Sequence, residues 1–191
     1  QALYFSSRFG LGFNVLSREI NDAREVYSAA FSLDKYVSPV FKFGGGFYMR
    51  FYQHYYDYII NEGELINEQY PHFKESPFAY STNFGVFASA ELLLGHFGLE
   101  IDLGLNIYKP FYKIEWQVQS DDFSGQPQTL EPLDDYYEIK RTITSRLGLK
   151  YYVFDTSKMP KHNVFLSAHI NANLGQADFS EFSLGYLYRL K

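Results

Sequence analysis

The sequence predicts an all-β fold, an eight-stranded antiparallel up-and-down transmembrane β-barrel formed by residues 1–191 as a single domain. Three observations predict it: apolar residues alternate with polar ones, the charged residues share one face of each segment, and short and long connections alternate along the chain. The last segment is the clearest, because Phe182, Leu184, Tyr186, Tyr188 and Leu190 occupy every second position.

Eight segments show this alternation, and each has the roughly 9–11 residues that a tilted strand needs to cross a bilayer. They are residues 2–15, 25–33, 36–52, 79–94, 97–113, 138–154, 163–173 and 178–190. We expect tight turns at residues 34–35 and 95–96, and a hairpin that turns about Gly175. An even number of strands lets the first and the last strand pair, which leaves no open edge.

The face that carries charge separates this fold from a soluble ligand-binding barrel, which would bury its apolar face and expose the polar one. In these segments the charged residues share one face with several glycines, which suits a narrow lumen where opposite charges neutralise one another. These residues are Arg8, Lys42, Arg50, Glu91, Glu100, Asp102, Arg146, Lys150, Glu181 and Arg189. The opposite face is nearly free of charge, as a surface in contact with lipid requires.

The connections between strands predict the orientation in the membrane. Those after the second, fourth and sixth strands are short, whereas those after the first, third and fifth run over about residues 16–24, 53–78 and 114–137. Outer-membrane barrels have short periplasmic turns and long extracellular loops. We therefore expect the protein in the outer membrane of a Gram-negative bacterium, exported with a signal peptide that is cleaved.

Composition excludes several other classes. The formal net charge is −5 and no basic stripe is present, so no nucleic-acid partner is expected. The chain has no cysteine, which excludes disulfides and thiolate metal sites. The histidines outside the last hairpin, which are His54, His72, His96 and His162, do not have the spacing of metal ligands. We therefore expect neither a metal nor a cofactor.

Candidate chemistry lies in the last hairpin. If it turns symmetrically about Gly175, His169 lies directly opposite Glu181, with Cβ atoms about 5 Å apart. A carboxylate beside an imidazole can fix its tautomer and raise its basicity, which supplies two parts of a hydrolytic triad. Ser167 and Ser183 share this face. The alternative is a structural pair in a charged lumen.

The hairpin motif H-x-x-A-x-x-G-Q-A-D-x-x-E-x-x-x-G-Y, with LGLNIYKPFYK at 103–113 and YYVFDTSKMPKHNVF at 151–165, resembles the outer-membrane lipid A 3-O-deacylases of the PagL type. It is still more similar to their acyloxyacyl hydrolase relatives from the Bacteroidota. The resemblance covers about the last half of the chain. It implies an eight-stranded barrel and an esterase that removes an acyl chain from lipid A with a Ser-His-Glu triad.

Carried over by position, the resemblance places the family's histidine on His169 and its glutamate on Glu181. The family's serine falls on Asn171, and an amide is not a nucleophile. Ser167 could replace it only with rebuilt geometry, because same-face neighbours on a strand lie about 6.6 Å apart. Strand parity also points His169 and Asn171 into the lumen, whereas lipid A lies outside the barrel.

Three functions follow from these observations. The first is a deacylase-like barrel without catalysis, a structural or lipopolysaccharide-contacting subunit that binds outer-membrane lipid and other outer-membrane proteins in a complex. The second is an active lipid A acyl-ester hydrolase with a rearranged triad of His169, Glu181 and Ser167. The third is a small adhesin- or receptor-like barrel whose long loops carry the function.

Overall fold

In a computed structural model, which describes residues 2–16, 22–61, 63–119 and 133–191, eight antiparallel strands close into a barrel in which each strand pairs with its neighbour in the chain and β1 pairs with β8. The strands are β1 (Leu3–Asn14), β2 (Glu25–Ser38), β3 (Phe41–Tyr52), β4 (Thr82–Leu94), β5 (Phe97–Tyr108), β6 (Ile143–Tyr152), β7 (His162–Asn173) and β8 (Gln176–Arg189). The predicted fold class is therefore confirmed. Parts of the predicted loops 16–24 and 114–137 lie outside the described residues.

Helices occupy the connections on the side where long loops were predicted. They are α1 (Gln53–Ile60), α2 (Glu64–Glu68), a 3-10 turn (Pro71–Glu75), α3 (Pro77–Tyr80), α4 (Tyr112–Gln119) and α5 (Asp135–Thr142). A further 3-10 turn, Thr156–Lys158, lies between β6 and β7. Within the described ranges, no helix has the length and apolar character needed to cross a membrane.

The tight turn predicted at residues 34–35 is wrong. Asp34 and Lys35 lie inside β2, where the buried Asp34 carboxylate accepts a hydrogen bond from Lys42 Nζ at 3.2 Å. The chain reverses instead at Pro39 and Val40, because proline cannot donate to a strand ladder. The turns predicted at residues 95–96 and about Gly175 are confirmed, and both Gly95 and Gly175 adopt positive φ.

Three predicted strand ends extend too far into the loops. β4 begins at Thr82 because residues 77–80 form α3, and β5 ends at Tyr108 because Pro110 follows. β6 begins at Ile143, since residues 135–142 form α5. The Asp134 side chain caps that helix by accepting a hydrogen bond from the Tyr137 backbone N–H at 2.8 Å. Alternation therefore located the strands, and the adjoining helices and Pro110 set where these three strands end.

The two faces of the barrel follow the predicted parity. Side chains such as Phe9, Leu103, Ile170 and Phe182 are 60–69% exposed on the outside and form an apolar belt. The charged residues of the opposite face are buried, apart from Arg189, which is partly exposed at the end of β8. Charged side chains buried on the inside and apolar side chains exposed on the outside are the arrangement of a barrel surrounded by lipid.

The lumen is filled in three layers. At the end that carries the short turns, Tyr4, Tyr36, Tyr152, Phe165 and Leu187 pack together. The middle layer is ionic. At the end that carries the helices, Tyr55 and Ile59 of α1, Ile66 of α2 and Ile114 of α4 pack with Tyr52 and Phe111 over the strand ends and close the mouth. The fold therefore positions a charged layer between two apolar ones.

Candidate functional site

Buried charges in the lumen balance. Among the described residues, six cationic and six anionic side chains are buried within the barrel and its mouth. The cations are Arg8, Lys42, Arg50, Lys109, Arg146 and Lys150, and the anions are Asp34, Glu91, Glu100, Asp102, Asp178 and Glu181. Because a lone buried charge is costly, this balance is a condition for the fold.

Arg146 lies at the centre of this ionic layer. Its guanidinium nitrogens lie 2.8 Å from Glu100 Oε1, 3.3 Å from Asp102 Oδ2 and 3.0 Å from Glu181 Oε1. Arg8 adds contacts to Glu100 and Asp102 at 3.4 and 3.2 Å. Lys150 contacts both Glu100 and Glu91. The strands are thus tied across the lumen by shared ion pairs.

Glu181, one of the predicted site residues, belongs to this network. It accepts hydrogen bonds from Arg146 Nη2 at 3.0 Å, Ser183 Oγ at 2.5 Å and Asn171 Nδ2 at 3.4 Å. The strand register places it directly opposite His169, as the symmetric hairpin predicts. The carboxylate nevertheless points at arginine and serine, and neither ring nitrogen of His169 has a hydrogen-bond partner.

His169 is enclosed by the barrel wall. It is 3% exposed, and its Nε2 lies 3.9 Å from Glu100 Oε1. On β6, Gly148 lies opposite it and leaves room for the ring, since a Cβ there would lie 2.5 Å from His169 Cγ. The side chain therefore faces the interior, as the strand parity predicts, and lacks the carboxylate contact that orients a catalytic imidazole.

The two nucleophile positions are also inside. Ser167 is 6% exposed, and its Oγ makes no hydrogen bond. Asn171, on which the resemblance places the family's serine, is fully buried and joins two charged groups: its Oδ1 accepts from Arg50 Nη2 at 3.1 Å, and its Nδ2 donates to Glu181. The structure thus brings His169, Glu181 and Asn171 into one layer and gives Asn171 a bridging position.

A bulge near the hairpin tip turns inward a residue, Asp178, that strand parity alone would place on the outside of the barrel. The register shifts between Asn171 and Ala172, so Asp178 and Phe179 both point inward although they are adjacent. Asp178 Oδ2 accepts a hydrogen bond from the Tyr52 hydroxyl at 2.8 Å. The tip residues thereby reach the mouth of the barrel, while His169 keeps its inward direction.

A second polar cluster at the mouth was missed by sequence reasoning. Asp178 meets His54 of α1, Glu115 of α4 and Lys109, which follows β5. The helix α1 could have been predicted from the spacing of Tyr55, Tyr58 and Ile59. These residues lie at i, i+3 and i+4 and form an apolar helix face. Tyr55 packs on Phe111 with ring centroids 4.2 Å apart.

The environment of this mouth cluster shifts its proton affinities. Burial, with the nearby Asp178 carboxylate, raises the pKa of Glu115 to about 7, although the Tyr55 hydroxyl bond and Lys109 act in the opposite direction. Burial lowers the pKa of His54 to about 4, against the attraction of Asp178 and Asp57. Burial also lowers the pKa of Lys109 to about 8. His54 is therefore neutral at physiological pH.

The outer wall carries an apolar groove of about 540 Å³. It crosses β4, β5 and the start of β6, and the tip residue Leu174 borders it; the other lining residues are Val86, Phe87, Ala88, Leu103, Gly104, Leu105 and Ile143. Two cationic residues, Lys140 and Arg141 of α5, lie just before Ile143 in the chain. The walls of the groove are almost entirely apolar, so the groove is suited to an alkyl chain.

Across residues 2–16, 22–61, 63–119 and 133–191, no three histidine, aspartate or glutamate side chains are grouped so that they could hold a metal ion.

A closed eight-stranded barrel with an apolar belt and a charged interior defines the class of this molecule: an integral β-barrel protein of the outer membrane. The chain belongs to the acyloxyacyl hydrolase family. The sequence model of the family "Acyloxyacyl hydrolase, C-terminal domain" matches residues 3–118, which is more than half of the chain. The predicted family is confirmed, although the resemblance was placed in about the last half of the chain and the match covers residues 3–118. The match includes LGLNIYKPFYK at 103–113 but ends before His169, Asn171 and Glu181, whose roles stay predictions.

Several solved barrels resemble this chain at low sequence identity. Neisserial surface protein A (NspA) is 11% identical, with a TM-score of 0.49 over 98% of this chain and 97% of that one. Ail, the attachment invasion locus protein of Yersinia pestis solved with a heparin analogue, is 8% identical, with a TM-score of 0.43 over 100% and 99%. A de novo designed transmembrane β-barrel is 10% identical, with a TM-score of 0.40 over 98% and 95%. No curated protein matches the chain.

Proposed function

We propose that this protein is a non-catalytic member of the acyloxyacyl hydrolase family that contacts lipopolysaccharide and serves as a subunit of an outer-membrane protein complex. One observation carries the proposal: the residues at the family's catalytic positions are buried inside the barrel, and the nucleophile position is occupied by Asn171, which bridges Arg50 and Glu181. Because the substrate of such an esterase lies in the surrounding membrane, its ester would have to pass through the strand wall to reach His169.

The chemistry of the pair supports the same proposal. A general base needs an open path to the proton that it removes, within about 3 Å, and a partner that fixes its tautomer. His169 is 3% exposed and has no hydrogen-bond partner, while Glu181 is committed to Arg146, Ser183 and Asn171. Glu181 therefore stabilises buried arginines and is not positioned to orient His169.

The apolar groove supports contact with lipopolysaccharide. Its outward residues, among them Val86, Ala88, Leu103 and Leu105, belong to strands in the lipid-facing belt, where acyl chains are the surrounding solvent. Lys140 and Arg141 are only partly buried and precede the groove residue Ile143 in the chain, and Arg141 Nη2 lies 2.8 Å from Glu138 Oε2. Cations beside an acyl-chain groove match a lipid that carries phosphate on its headgroup.

The experiment that tests the proposal is purification of the tagged protein from native outer membranes in a mild detergent, followed by mass spectrometry of the intact particle. We expect a defined complex with at least one other outer-membrane protein and with bound lipopolysaccharide. A monomer that retains neither would contradict the proposal.

A variant of the groove tests the lipid contact separately. Ala88→Trp places an indole in the groove and should reduce the lipopolysaccharide that is retained after purification. Ala168→Trp is the matched control, because Ala168 is also exposed on the belt but lies outside the groove. Equal retention by the two variants would argue against the groove as the contact.

Family membership favours one alternative, an active lipid A acyl-ester hydrolase with a rearranged triad. Ser167 would be the nucleophile, His169 the base and Glu181 the acid that orients it. This function requires local opening of β7 from β8, which would expose the Ser167 and His169 side chains. Release of a hydroxyacyl chain from lipid A that disappears in Ser167→Ala and in His169→Ala would establish it.

Export with a cleaved signal peptide is part of the proposal, since a protein of the outer membrane has to cross the inner membrane first. Amino-terminal sequencing of the protein isolated from outer membranes tests it. We expect a mature terminus produced by signal peptidase, and an uncleaved hydrophobic leader would contradict the proposal.

A further inference from the structure

One cationic side chain stands on the lipid-facing wall of the barrel. Lys35 lies on the outward face of β2, where it is exposed between the exposed apolar residues Leu33 and Val37. Among the strand residues that the structure describes, it is the only lysine or arginine on that face, since the others point into the lumen or, like Arg189, lie at its end. A charge within an apolar belt is costly unless an opposite charge meets it.

The protein itself supplies no such opposite charge. In the described part of the chain Lys35 makes no ion pair, and its neighbours across the strands, Leu3 on β1 and Phe43 on β3, are apolar. The adjacent Asp34 points inward and pairs with Lys42. The opposite charge therefore has to come from outside the protein, and a long lysine side chain can extend along the wall to meet it at the edge of the belt.

A second lysine lies at the same end of the wall. Lys161 directly precedes β7, is exposed, and has its Nζ 5.9 Å from the ring centroid of Tyr188, an outward residue of β8. Across the described ranges it also makes no ion pair. Because β7, β8, β1 and β2 are successive neighbours in the barrel, the two lysines lie about 15 Å apart around the wall.

Aromatic side chains occupy the wall between the two lysines. Tyr188 lies opposite Phe5 of β1 on one side and opposite His162 of β7 on the other. The ring centroids of His162 and Tyr188 are 5.2 Å apart, and His162 Nδ1 is hydrogen-bonded to the Tyr186 hydroxyl. Tyrosines on the outer wall are typical of the level of the lipid headgroups, so the two lysines lie at the depth of phosphate groups.

The charge outside the lumen at this end of the barrel is positive. The described residues of the short-turn end include one carboxylate there, Asp155, which accepts hydrogen bonds from the backbone N–H and the hydroxyl of Ser157. The cations are Lys35, Lys158, Lys161, Arg189 and Lys191. Outer-membrane barrels have their short turns on the periplasmic side, where the leaflet consists of phospholipids. Such a surface favours phospholipids that carry net negative charge.

We propose that the wall between Lys35 and Lys161 binds anionic phospholipids of the phosphatidylglycerol type, with their phosphates on the two ammonium groups. A zwitterionic headgroup fits less well, because its own ammonium would lie beside lysines that have no carboxylate partner among the described residues. The spacing of about 15 Å leaves each lysine a headgroup of its own. The inference goes beyond the function proposed above and does not depend on whether the chain is catalytic or belongs to a complex.

The test measures which lipid lies against this wall. In a Trp116→Phe background, which removes the one tryptophan of the sequence, Phe5→Trp places an indole on β1 between the strands that carry the two ends of the site. Phe97→Trp is the matched control, because Phe97 is exposed at the same end of the barrel on β5, on its opposite side.

The purified full chain is reconstituted in phosphatidylcholine bilayers, and quenching of the indole by brominated phosphatidylglycerol is compared with quenching by brominated phosphatidylcholine. We expect a preference for phosphatidylglycerol of about fivefold or more at the indole of Phe5→Trp and none at that of Phe97→Trp. Raised salt should weaken the preference, because the lysines are exposed.

Substitution of the lysines connects the preference to them. Lys35→Gln together with Lys161→Gln should abolish it at the indole of Phe5→Trp. Lys74→Gln together with Lys113→Gln is the control, since it removes the same charge from the end that carries the helices and should leave the preference unchanged. Heat-dependent migration on gels verifies that all variants are folded.

Two results would overturn the proposal. One is equal quenching by the two lipids at the indole of Phe5→Trp. The other is a preference that survives the double substitution of Lys35 and Lys161; loss of a co-purified protein from that variant would then assign the two lysines to the acidic surface of a protein instead.

Discussion

At the scale of the residue, the contrast between His169 and Glu181 decides what this layer of the lumen does. The two residues face each other in the strand register, yet Glu181 contacts Arg146 and Ser183, whereas His169 has no hydrogen-bond partner. A buried polar group without a partner lowers stability, and a buried carboxylate bound to arginine cannot be removed without cost. Glu181 therefore contributes to the stability of the fold, whereas His169 lowers it.

This inequality gives a first prediction. His169→Leu should change the free energy of unfolding by less than about 1 kcal/mol, or raise it, because two unpartnered nitrogens are removed from the interior. Glu181→Leu should lower it by about 3–5 kcal/mol, because Arg146 loses a buried partner. Guanidinium unfolding of the barrel in lipid bilayers measures both values. A large loss in His169→Leu would show that the imidazole makes a stabilising contact inside the lumen.

Asn171 gives a second prediction at the same scale. Asn171→Ser introduces the residue type that the resemblance predicts for this position but breaks the bridge between Arg50 and Glu181, because a serine side chain is too short to reach both. Since hydrogen bonds to charged groups contribute about 1.5–3 kcal/mol each, we expect a loss of about that size in unfolding free energy. An unchanged free energy would mean that the bridge is not required.

At the scale of the element, the β7–β8 hairpin depends on close packing between strands. Phe165 on β7 lies opposite Gly185 on β8, and a Cβ on Gly185 would lie 2.0 Å from the Phe165 ring. Gly185→Ala should therefore destabilise the barrel by about 1–3 kcal/mol through overpacking. Phe165→Leu in the same chain should recover part of this loss. A double-mutant cycle in unfolding free energy measures the coupling, and strictly additive effects would contradict the contact.

The helix α1 should respond to acid through His54. Its folded pKa of about 4 lies below the usual 6.5, so the neutral ring stabilises the folded mouth above pH 6.5, and this contribution is lost as the pH falls through about 4. The full effect is at most about 3 kcal/mol. Glu115 acts in the opposite sense, because its raised pKa adds stability at low pH that is lost as the pH rises through about 7.

Hydrogen exchange of the α1 amides, corrected for the intrinsic effect of pH, separates these contributions. In the unchanged protein the two contributions oppose each other as the pH falls from about 7 to 4. His54→Gln should leave only the contribution of Glu115, so that α1 becomes better protected as the pH falls, whereas His96→Gln, at the turn between β4 and β5, should respond as the unchanged protein does. If both variants follow the unchanged protein, His54 is not the group that responds.

At the scale of the whole molecule, the strand pattern made the barrel predictable and the loops did not follow from it. Alternation from Leu3 to Leu190 identifies the strands because each lumen residue is followed by a lipid-facing one. Asp34 misled this reasoning, since an Asp-Lys pair is typical of a turn, while its burial beside Lys42 depends on a contact across strands. The inward Asp178 depends on a bulge, which no period of two reveals.

The candidate site was predictable in the same partial way. The pairing of His169 with Glu181 follows from the hairpin turn, and their inward direction follows from parity. The hydrogen bond that Arg146 donates to Glu181 does not follow from the hairpin or from parity, because β6 reaches β8 only across the lumen of the closed barrel. The mouth cluster was not predictable, because it combines residues from β8, α1 and α4 that are distant in sequence.

The central claim is that the residues at the family's catalytic positions serve the fold and are closed to lipid. Its most direct test is incubation of the purified protein in bilayers with lipid A, followed by mass spectrometry for loss of one hydroxyacyl chain. We predict no loss for the unchanged protein and none for Asn171→Ser, although that variant introduces a serine where the resemblance predicts the family's nucleophile. Acyl release by either protein that disappears when His169→Ala is added would contradict the account.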